Sequence, residues 1–133
     1  MSMSVQEMLE THPATETRPE ELVRCIEECF ACAQSCTACA DACLGEEDVE
    51  SLVRCIRTNL DCADVCLATG RVLSRRTEPS AAILRSLVEA CAQACATCAQ
   101  ECERHAGHHE HCRVCAEACR RCEDACRTLL GAL

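Results

Sequence analysis

Eighteen cysteines stand in four blocks whose internal spacing is almost entirely three or four residues. The first block is Cys25, Cys29, Cys32, Cys36, Cys39 and Cys43, and the second is Cys55, Cys62 and Cys66. Cys91, Cys95, Cys98 and Cys102 make the third; Cys112, Cys115, Cys119, Cys122 and Cys126 make the fourth. Thirteen of the fourteen intervals within blocks are three or four residues, and the remaining one is seven, with Asn59 in the skipped place. That alternation puts every cysteine on one stripe of an α-helix. A strand would space them by two.

Boundary signals bracket the blocks. Thr17-Arg18-Pro19-Glu20 has the pattern of a capping box with proline in the first turn. Gly45 follows the last cysteine of the first block, as a helix C-terminus prefers. Glu46, Glu47 and Asp48 put acidic charge at the next helix start, Thr77-Glu78-Pro79-Ser80 opens the third helix and Gly107 closes it. Helices are predicted over 20–44, 48–75, 80–106 and 109–131. Residues 1–19 precede them, with a short helix at 4–12 and a linker at 13–19. Gly70 falls inside the second long helix, where glycine costs about 1 kcal/mol relative to alanine. Short connections make successive helices antiparallel. The expected fold is therefore all-α, an up-down-up-down four-helix bundle with a Cys-lined core spanning 20–133.

Leu, Val, Ile and Phe number only 12, 8, 3 and 1 in 133 residues, and the net charge is −9. Such a composition would fit disorder if 20 alanines and the ordered cysteines did not argue otherwise. A leucine seam would bury more apolar area, so packing alone does not explain seams of cysteine. The acidic balance, 22 Asp and Glu against 13 Arg, and a single aromatic exclude a nucleic-acid partner. The apolar runs are too short for a membrane span. The opening residues carry no basic stretch followed by an apolar one, so a cytoplasmic protein is expected, with reduced thiols available to metal.

The two ends of the bundle differ. Past the last cysteines at one end the stripes continue as Leu22, Leu73, Ile83 or Leu84, Leu87 or Val88, and Leu129 or Leu130, an apolar plug. At the other end Cys43, Cys55, Cys102 and Cys112 adjoin Glu46, Glu47, Asp48 and the histidine-rich 104–111 segment. Metal is expected to enter there. His105, three residues past Cys102, and His108, four before Cys112, are the expected mouth ligands. His109 and His111 are placed behind them because the start of the fourth helix sets their phase. Asn59 lies on the stripe itself and Asp61 on its flank, both as polar ligands to copper.

Thiolate ligands select Cu(I), Zn(II) or iron–sulfur clusters. One Cu(I) per thiolate leaves the core neutral, whereas four Zn(II) on sixteen thiolates leave a net −8 in a narrow interior with no Lys or Arg on the stripes. Iron–sulfur motifs wrap loops around a cluster, and these spacings lie inside helices. All eighteen cysteines are accordingly Cu(I) ligand candidates. An iron–sulfur electron carrier and a zinc buffer or thiol redox sensor are the alternatives.

The run from Cys25 to Cys43, the sparser second block and the dense third and fourth blocks resemble the bacterial copper storage proteins, in their cytosolic branch. The resemblance covers roughly residues 20–131. It implies a non-enzymatic bundle, commonly a homotetramer, that stores many Cu(I) ions on inward thiolates and limits copper toxicity. Copper chaperones or small-molecule thiols would be its exchange partners.

Overall fold

The computed structural model describes residues 3–14 and 19–133. Helix α1 covers Met3–Glu10, α2 Glu20–Leu44, α3 Val53–Ser74, α4 Ala81–His105 and α5 Glu110–Ala132. One 3-10 turn, Val49–Leu52, leads into α3. Among the described residues there is no strand. The architecture is the expected all-α bundle: α2 packs on α3 and α5, and α4 packs on the same two, so that the long helices form a square.

The helix ends follow local chemistry. Pro19 sits at the N-cap of α2, where its carbonyl accepts from the amides of Leu22 and Val23 at 3.0 and 3.4 Å. Thr17, the expected capping side chain, lies outside the described residues. Ser80 caps α4 as expected, its Oγ accepting the amide of Ile83 at 3.3 Å. The acidic 46–48 segment does not begin α3 directly, because the 3-10 turn intervenes. That turn buries Leu52 completely.

Gly70 is a requirement of packing. A Cβ there would stand 2.9 Å from Cζ of Phe30 on α2, closer than carbon atoms approach. Its absence lets the aromatic ring lie directly against α3, which offsets the low helix propensity of glycine.

All eighteen cysteines are buried and free. The apolar end is resolved as Leu22, Ile26, Leu73, Leu84, Val88 and Leu129, joined by Leu9 from α1, while Ile83 faces solvent. The opposite end carries Glu46, Glu47, Asp48 and the histidines, with Leu52 buried beneath them.

A sulfur-lined lumen and its polar mouth

The four cysteine stripes meet in one continuous column. At the plug end, the sulfurs of Cys25 and Cys126 are 3.8 Å apart. The column continues through Cys29 and Cys91 at 3.9 Å, Cys66 and Cys95 at 3.6 Å, and Cys36 and Cys119 at 3.6 Å. It ends at Cys55 with Cys102, 3.8 Å apart, and Cys39 with Cys112, 4.0 Å apart. Metal–sulfur bonds of about 2.3 Å place the sulfurs around a three- or four-coordinate ion about 4 Å apart. The lumen therefore has the spacing of a soft-metal site before any ion arrives.

The ligand sets overlap. Cys29, Cys91, Cys122 and Cys126 converge within 4.8 Å, as do Cys32, Cys66, Cys95 and Cys122. Cys32, Cys36, Cys62 and Cys119 form another set, and Cys36, Cys98, Cys115 and Cys119 a fourth. Cys32, Cys36, Cys119 and Cys122 each belong to two sets, so neighbouring ions would be bridged by sulfur. Shared sulfurs let the column hold more ions than independent four-thiolate zinc sites would. Among the described residues, no Arg or His belongs to the buried core. Nothing but the bound ions would neutralise thiolates there.

Asn59 occupies the centre of the mouth half and is fully buried. Its Oδ1 accepts from the thiols of Cys98 at 3.0 Å, Cys115 at 3.1 Å and Cys102 at 3.6 Å, and its Nδ2 donates to the sulfur of Cys55 at 3.6 Å. One amide thus touches thiols from three helices. Thr69 holds the other non-cysteine stripe position of α3 and turns its hydroxyl back to the carbonyl of Val65 at 2.7 Å, so it offers the lumen no polar hydrogen.

At the mouth, Cys39, Cys43, Cys112 and His111 converge within 4.8 Å. Nδ1 of His111 is 3.4 Å from the Cys39 sulfur and 3.7 Å from that of Cys112, and its Nε2 meets Glu46 at 2.8 Å. His109 stacks on that ring with centroids 5.5 Å apart, and bridges Glu46 at 3.1 Å and Asp48 at 3.0 Å. Burial works against protonation of His111, but the Cys39 sulfur and Glu46 carboxylate outweigh it and raise its pKa. Asp48 raises that of His109 and is itself lowered by the imidazole. Burial pushes the Cys43 thiol up to about 11 and raises that of Cys112, so these two are protonated at neutral pH, whereas hydrogen bonds from Cys102, Cys115 and Cys55 lower that of Cys39.

The mouth differs from the sequence expectation. His105 directs Nε2 to the buried carboxylate of Glu101 at 3.0 Å, which the exposed Arg54 and Arg104 also meet. His108 is exposed in the turn after α4, and Asp61 is exposed and paired with Arg57 at 3.1 Å. The structure brings none of these three to the sulfur column. For His108 the reason is where the last helix starts: α5 begins at Glu110, so the position four before Cys112 lies outside it, while His105 is on α4 and turns to Glu101 instead. His111 was legible only as the fourth residue before Cys115, a relation that counts once α5 is known to begin at Glu110.

Fold and site together define a class: a helical bundle whose interior is a reservoir of bridging soft-metal ligands. Residues 18–131 match the family model described as copper storage protein, and the chain belongs to that family. It is similar to Ccsp, the copper storage protein of Streptomyces lividans, in a structure loaded with 10 copper equivalents: 58% identity, TM-score 0.95, covering 98% of this chain and all of that one. A second structure, of a cytosolic copper storage protein from Streptomyces lividans with five coppers, shares 63% identity over 86% of this chain and 95% of that one, with a TM-score of 0.84. A histidine-to-alanine variant of Ccsp matches at 62% identity and a TM-score of 0.83, over 84% of this chain and 93% of that one. No curated protein matches the chain.

Proposed function

We propose that this protein stores copper as Cu(I), at about one ion per cysteine, on the thiolates of the bundle 20–133. The observation that carries the reading is the unbroken column of eighteen buried, free thiols with shared ligand sets. Each Cu(I) that binds displaces one thiol proton, so the filled core is neutral and loading acidifies the medium. No residue acts as acid, base or nucleophile in this role, and the protein is a cytoplasmic store that also limits copper toxicity. Asn59 and His111 supply the non-sulfur donors, at the centre and at the mouth. Copper chaperones or small thiols exchange ions at the polar end, and the functional unit is a homo-oligomer.

Anaerobic titration of reduced apo-protein against a chromophoric Cu(I) chelator tests this. Saturation near 18 ions per chain is expected, one for each cysteine. Saturation at a few ions would overturn storage. Visible charge-transfer bands in the purified protein would instead support an iron–sulfur carrier, and preferential retention of Zn(II) a zinc buffer.

A further inference from the structure

Helix α3 carries a second stripe beside its cysteines. Val53, Ile56, Leu60, Ala63, Leu67 and Gly70 recur at alternating intervals of three and four, the spacing of a helix-pairing seam. Ala63 and Gly70 are buried, Gly70 beneath Phe30 of α2. Val53, Leu60 and Leu67 are not, and stand 63%, 47% and 36% exposed at seven-residue intervals along the outer face. An acidic protein gains nothing within its own fold from a ridge of aliphatic side chains on a solvent-facing helix.

The charges beside this ridge point to its occupant. Glu50, Asp64 and Arg71 are exposed and enter no ion pair among the described residues. If α3 meets α3 of a second copy antiparallel, with Leu60 of each copy at the two-fold axis, Val53 falls opposite the second copy's Leu67. The same register brings Glu50, in the turn before α3, within one residue of the position opposite the second copy's Arg71, and Arg57, which pairs with Asp61 within its own chain, within one residue of the position opposite the second copy's Asp64. Apolar and charged positions are satisfied by one register, as a self-complementary two-fold interface requires.

We propose that two copies of this chain associate through an antiparallel α3–α3 seam centred on Leu60, flanked by reciprocal Glu50–Arg71 and Arg57–Asp64 ion pairs. This rests on the reading that the functional unit is a homo-oligomer and specifies one of its interfaces. Because the helices run in opposite directions, the two polar mouths open at opposite ends of the pair, and both remain accessible.

The test is the mass of the full-length chain by light scattering after size exclusion, with helicity by circular dichroism confirming that each variant folds. Wild type is expected to be larger than a monomer. Leu60→Glu, which places two carboxylates at the axis, and Arg71→Glu, which opposes Glu50, should each reduce the mass by at least half the subunits. Adding Glu50→Arg to Arg71→Glu exchanges the signs and should restore the wild-type mass. A monomeric wild type would overturn the oligomer and this seam with it. An oligomeric wild type unaffected by either single substitution would overturn the seam alone. Dispersal by both single substitutions without restoration by the exchange would overturn the antiparallel register.

Discussion

Nδ1 of His111 lies 3.4 Å from the sulfur of Cys39, while Nε2 of the same ring meets the Glu46 carboxylate at 2.8 Å. A neutral imidazole that donates Nε2–H to Glu46 keeps its Nδ1 lone pair for a metal, the arrangement by which an outer carboxylate orients a histidine ligand. His111→Ala should slow Cu(I) uptake about tenfold, in line with the loss of an oriented ligand, and leave capacity nearly unchanged. His105→Ala, which removes only a partner of Glu101, should leave uptake at the wild-type rate. Stopped-flow transfer from a coloured chelator distinguishes them, and equal slowing would overturn the mouth assignment.

The mouth should titrate. His109 is raised, first by its hydrogen bond to Asp48, so its contribution to stability is complete below the ordinary histidine value of about 6.5 and is lost as pH rises through the folded value. Asp48 is lowered, first by its hydrogen bond to His109, so its contribution is present above the ordinary carboxylate value of about 3.9 and is lost as pH falls through its folded value. The pair therefore stabilises the folded chain across mildly acidic pH. Histidine proton resonances should show His109 and His111 titrating above an ordinary histidine. An ordinary midpoint for both rings would refute the pairing.

Protonation should also gate uptake. An imidazolium has no lone pair for Cu(I), and His111 is raised. The rate advantage of wild type over His111→Ala should therefore shrink as pH falls through that raised value. An advantage that persists undiminished into acid would mean that the ring does not handle the ion.

Gly70→Val would drive a side chain into the ring of Phe30, whose Cζ already lies 2.9 Å from the position of a Cβ. Overpacking of this kind costs about 1–3 kcal/mol, and denaturant unfolding should register it. Phe30→Ala makes the room that valine needs. The double variant should accordingly lose less than the two single losses combined, and strict additivity would mean that ring and glycine do not contact each other in solution.

Asn59→Leu keeps the volume and removes the amide. The thiols of Cys98 and Cys115 then lose the oxygen they donate to, at 3.0 and 3.1 Å, which should cost the apo-protein about 1–3 kcal/mol. Copper capacity should fall by one ion per chain, the ion proposed to lie on the amide oxygen. Unchanged capacity would confine Asn59 to a structural part in the apo state.

The cysteine spacing by itself determined four helices, one sulfur face on each, a dry end and a polar end, and a preference for soft metal. These are local properties: a residue three or four positions along a helix shares its neighbour's face whatever the rest of the chain does. The aliphatic seam of α3 is equally local and equally present in the sequence. Its exposure was not legible, because that depends on what α2 leaves uncovered. The tertiary structure alone decided that Cys32, Cys36, Cys119 and Cys122 serve two ligand sets each, that Asn59 touches thiols of three helices, and that His111 rather than His105 or His108 meets the sulfur. Each of these joins residues far apart in the chain. Such contacts follow from where helices stop and how their axes pack, and neither is contained in the period of any one helix.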